Sequence, residues 1–64
     1  VKIDDEVERM NRLLMPLLGN QRLVNLWWDT PNHSFDMKTP ADVWEYDQKQ
    51  VFEYIRRQYS GDYL

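Results

Sequence analysis

Four local signals, Gly19-Asn20, Thr30-Pro31, Thr39-Pro40 and Gly61, cut the chain into short segments in which apolar residues recur three or four positions apart. That spacing is the period of one stripe along a helix, and no segment alternates apolar and polar residues as a strand does. No internal repeat or low-complexity stretch interrupts the pattern. The expected fold is all-α: a small single-domain bundle over residues 1–64, with about four short helices around an aromatic core.

The first stripe is Val7, Met10, Leu14 and Leu18, extended backwards by Ile3, with Asp4, Asp5, Glu6 and Glu8 at the end where the helix dipole favours acids. Pro16 lacks the N–H that would reach the Arg12 carbonyl, so this helix either kinks or stops one residue earlier, with a break by Gly19. Gly19 then acts as a C-terminal glycine and Asn20 as an N-cap for a helix from Gln21 to about Asp29, ended by Thr30-Pro31. Leu23, Val24, Trp27 and Trp28 are its candidate buried side. Phe35, the one large ring in the following loop, is expected to plug the core. Thr39 caps a third helix with Pro40 at its first position, and Val43 and Trp44 turn inward. Asp47 offers a fresh cap for the last helix, whose inward stripe reads Val51, Phe52, Ile55 and Tyr59, closed by Gly61.

Size and charge narrow the function. A chain of 64 residues buries only about 60% of the surface its unfolded form exposes, so three Trp, four Tyr and two Phe must pack efficiently or lean on a partner. There is no cysteine, hence no disulfide framework and no thiolate metal site, and the cytoplasm is the default location. The apolar runs fall well short of the roughly 18 residues that cross a bilayer, so no membrane span is expected. Lys2 is followed by acids rather than an apolar stretch, and no signal peptide is expected. Eight Lys and Arg against eleven Asp and Glu leave a net charge of −3. Only Arg56 and Arg57 cluster, so nucleic-acid binding by this domain alone is not expected.

Nothing in the residues points to catalysis or a cofactor. His33 is the only histidine, and a triad or metal site would have to be assembled around it from Asp29, Ser34 or Asp36, with no strained elbow or glycine-rich turn to hold a nucleophile. The acids at the first helix start read as dipole compensation and a solvated face rather than a cation loop. Protein binding is the better expectation. Large rings in so small a domain are usually core, but Trp27 and Trp28 point about 100° apart on one helix, so one of them lies at a rim, and Trp28 is the alternative candidate as an interface anchor. The other candidate surface is the C-terminal end, Tyr59-Ser60-Gly61-Asp62-Tyr63-Leu64, an aromatic and acidic extension with no evident packing duty.

The order Trp27-Trp28-Asp29-Thr30-Pro31-Asn32, Phe35, Thr39-Pro40, Val51, Ile55 and Gly61-Asp62-Tyr63 resembles the toxin-binding domain of the Xre/MbcA/ParS antitoxins, over roughly residues 17–64. Where that family has loop glycines before Thr-Pro, this chain has Asp36 and Met37, which predicts different backbone angles in the turn. The resemblance implies a protein inhibitor, not an enzyme: a module that neutralises a RES-type, NAD-degrading toxin by placing its C-terminal segment over the toxin's active site. By position, Arg56, Tyr59, Gly61, Asp62 and Tyr63 would be the contacting residues. The competing expectation is a small phage or bacterial structural or adaptor protein that uses Trp28 and the first helix as a homo-oligomer or partner face.

Overall fold

A computed structural model describes residues 3–61. Four helices follow one another: α1 (Asp5–Leu18), α2 (Gln21–Asp29), α3 (Pro40–Tyr46) and α4 (Gln48–Ser60), with a single 3-10 turn at His33–Phe35 between α2 and α3. The protein is a small all-α bundle with an aromatic cluster inside. Helix α1 packs on α2 and α4, and α3 packs on the same two, so the four helices close a ring of consecutive neighbours.

The helix ends are set by local chemistry. The N–H of Val7 donates to Asp4 Oδ1 (2.9 Å), that of Leu23 to Asn20 Oδ1 (2.9 Å), and that of Asp42 to Thr39 Oγ1 (3.1 Å). Each bond satisfies a donor that the first helical turn would otherwise strand. Gly19 closes α1 at φ 103°, its N–H donating to the Met15 carbonyl at 2.8 Å. Helix α1 runs through Pro16 to Leu18, since losing one donor in the last turn forfeits a single bond. Asp47 departs from expectation: its side chain makes no capping bond, and it serves as a shared joint at φ −155°, its N–H donating back to Val43 while its carbonyl accepts from Gln50.

The turn between α2 and α3 is organised by Asn32. Its Oδ1 accepts from the Ser34 N–H (2.8 Å), its N–H donates to the Lys38 carbonyl (3.1 Å), and its carbonyl accepts from the N–H groups of Phe35 and Met37 (2.9 Å each). Closing the loop this tightly puts Asp36 at φ 56° and Met37 at φ 67°. Both lie in the left-handed region where glycine is the ordinary occupant, so the non-glycine residues at these positions carry strain. Met37 is exposed, and no core contact depends on its side chain. Met37→Gly should therefore raise stability by about 0.5–1 kcal/mol, seen as an increase of roughly 4 °C in Tm by circular dichroism.

The core comprises Val7, Met10 and Leu14 from α1, Val24 and Trp28 from α2, Phe35, Val43 and Trp44 from the turn and α3, and Val51 and Ile55 from α4. Two expected inward faces are narrower than the sequence suggests. On α2 the line Val24–Trp28 faces inward, while Leu23 is 38% exposed. On α4 the inward line is Val51–Ile55, while Phe52 and Tyr59 are 40% and 51% exposed. Leu23 and Phe52 each lie about 100° round from a buried neighbour, Val24 and Val51, whereas Tyr59 continues the Val51–Ile55 row onto the last turn of α4, where it is half exposed.

Candidate functional site

Trp28, named both on the candidate buried side of α2 and as the candidate interface anchor, is a core residue. It is 4% exposed, meets the Trp44 ring edge-on at 5.6 Å, and donates from Nε1 to Asn11 Oδ1 at 2.7 Å. A buried indole needs a partner for its N–H, and Asn11 provides it. The partly open tryptophan is Trp27, which lies 5.2 Å edge-on from Trp28 and stacks on Tyr54 of α4 at 6.1 Å. The surface face built on Trp28 is therefore withdrawn, and the rim position passes to its neighbour.

The remaining candidates gather on the last turns of α4. Arg56 donates from Nε and from its terminal nitrogen to the two carboxylate oxygens of Glu53, both at 3.1 Å. This forked pair fixes the guanidinium plane along the helix. The Arg56 hydrogen bond, reinforced by the charges of Arg56, Arg57 and Lys49, outweighs partial desolvation and holds the Glu53 carboxyl below its ordinary range. One turn on, Tyr59 leaves half its surface in solvent while its hydroxyl donates to the Leu13 carbonyl of α1. Gly61 ends the helix at φ 80°, its N–H donating to the Arg57 carbonyl at 3.1 Å. Arg56, Tyr59 and Gly61 thus share one end of the bundle; Asp62 and Tyr63 lie outside the described residues.

Two depressions flank this end. On one side a groove of about 690 Å³ runs between the 3-10 turn and α4, with Phe35 and Tyr54 in its wall and Lys49, Glu53 and Arg57 along it. On the other, a hollow of about 240 Å³ is lined by Leu14, Leu17, Leu18, Trp27, Tyr54 and Gln58. Tyr54 and Gln58 border both. Neither Trp27 nor Tyr54 was singled out as a site residue from the sequence. The signal was present in the spacing of Tyr54 and Gln58, one helical turn apart beside the inward line.

Elsewhere the chemistry is sparse. Among the described residues no group of three or more His, Asp or Glu side chains comes together to hold a metal ion. His33 is exposed on the 3-10 turn. Of the acids at the start of α1, Asp4 caps the helix and Glu6 pairs with Arg9 at 3.5 Å. No described helix is long and apolar enough to cross a membrane. Compared with family models, curated proteins and solved structures, the chain matches none. The likeness to antitoxins therefore rests on the residues quoted for it.

Proposed function

We propose that this chain is a protein-binding module that neutralises a RES-type toxin by presenting the C-terminal end of α4, and the residues that follow, to the toxin's active-site cleft. The observation that carries this reading is the held posture of Tyr59. Its ring is half in solvent, yet its hydroxyl is tethered to the Leu13 carbonyl of another helix. A ring already fixed in the free protein loses little further freedom on binding, which is how tyrosines concentrate affinity at interfaces. Arg56, braced by Glu53, stands one turn away as a second side chain of the type that anchors interfaces. Gly61 lets the chain turn off the helix, and Asp62 adds an acid suited to the cations of a nucleotide site.

The test is a titration of the full chain into a purified RES-type toxin that is consuming NAD. The proposal predicts a complex with a dissociation constant below about 1 μM and arrest of NAD loss at saturation. Undiminished NAD loss with no heat of binding would reject it.

A further inference from the structure

The groove between the 3-10 turn and α4 carries a charge pattern that toxin binding does not use. Lys49 and Arg57, both exposed, lie along it, and among the described residues neither side chain comes within ion-pair distance of an acid. Glu53 stands midway between them in the sequence, but both of its carboxylate oxygens accept from Arg56. Asp47 lies beyond Lys49 at the end of the groove, where it disfavours a further acid. Tyr54 against Phe35, ring to ring at 5.3 Å, makes the wall beside the two cations. In a chain of net charge −3, these are two uncompensated bases over an aromatic wall.

We propose that this groove binds an extended acidic segment of a partner protein, one whose two carboxylates lie four residues apart. The spacing of the cations selects that occupant. Lys49 and Arg57 are eight residues apart on α4, about 12 Å along its axis. In an extended peptide the first, third and fifth residues share a face, and the outer two are separated by about 13 Å, so one acid meets each cation. The middle residue of that face meets Tyr54 and the closed Glu53–Arg56 pair, which favours an uncharged apolar side chain. Two other anions fit less well. A nucleic-acid strand carries a phosphate at every residue and sets one against Glu53. The joined phosphates of a single nucleotide lie too close together to span both cations. Neither Lys49 nor Arg57 is among the proposed toxin contacts, so the occupant of this groove is independent of the toxin reading.

Fluorescence anisotropy of a labelled, end-blocked peptide, Asp-Ala-Leu-Ala-Asp, titrated with the full chain at about 20 mM salt tests this. The peptide should bind with a dissociation constant on the order of 100 μM. Its rearrangement Ala-Asp-Asp-Leu-Ala keeps charge and composition but brings the acids together, and should bind at least ~5-fold more weakly. The uncharged Asn-Ala-Leu-Ala-Asn should not bind. Lys49→Gln and Arg57→Gln in one chain should weaken the first peptide at least ~10-fold with the helical circular dichroism unchanged, because both side chains are exposed. The peptide comparisons use the parent chain, so they decide even should the double variant not fold. No binding of the first peptide, equal binding of its rearrangement, or undiminished binding by a folded double variant overturns the proposal. So does a five-residue oligothymidylate that binds more tightly than the peptide.

Discussion

Trp28→Ala should leave the chain unfolded in water at 25 °C. Truncating a buried tryptophan costs about 3–5 kcal/mol, and a core in a chain of this size rarely supplies more than that in total. The loss here has three parts. The edge-on contact with Trp44 disappears, Trp27 loses the ring it packs against, and Asn11 keeps an acceptor with no donor. Trp28→Phe separates these parts, since it keeps an aromatic ring and removes only the N–H and the second ring, and it should cost about 1–3 kcal/mol. The measurement is far-UV circular dichroism with a thermal melt: collapse of the helical signal for Trp28→Ala and a lowered Tm for Trp28→Phe. A Trp28→Ala protein as stable as the parent would return Trp28 to the interface role weighed for it from the sequence.

The second large effect falls on binding. Removing residues 61–64 should weaken toxin binding at least ~100-fold, or about 2.7 kcal/mol, while the bundle stays folded. Folding survives because the inward line of α4 ends before the cut, with Val51 and Ile55 as its fully buried members. The deletion removes the Gly61 N–H that donates to the Arg57 carbonyl, which frays the last turn at a cost of about 1 kcal/mol or less. Binding fails because the segment that would enter the cleft is gone, and because a frayed turn loosens the tether between Tyr59 and Leu13.

Helix boundaries were legible in the sequence because each depends on one or two residues acting on adjacent backbone. Asn20 and Thr39-Pro40 start helices and Gly19 and Gly61 end them by chemistry that needs no distant partner. Phe35 was legible for a similar reason, as the one large ring in an otherwise polar turn. What the residues did not disclose was which of two adjacent apolar lines on a helix turns inward. Leu23–Trp27 and Val24–Trp28 are equally apolar, and on α4 the adjacent residues Val51 and Phe52 are both apolar. The choice is made by which helices sit alongside, here α1 and α3, and that information is not local. The same limit left open which of Trp27 and Trp28 is buried and hid the stack of Trp27 on Tyr54. The turn before α3 shows the reverse case. Asn32 draws the loop shut strongly enough to force Asp36 and Met37 into left-handed angles, against their own preference.

The central claim is that the C-terminal end of α4 and its continuation grip a toxin. Its most direct test compares the full chain with a chain ending at Ser60, each titrated into a RES-type toxin turning over NAD, with circular dichroism recorded on both. The account predicts that the full chain stops NAD loss while the shortened chain, still helical, leaves it running. Equal inhibition by the two chains would contradict it.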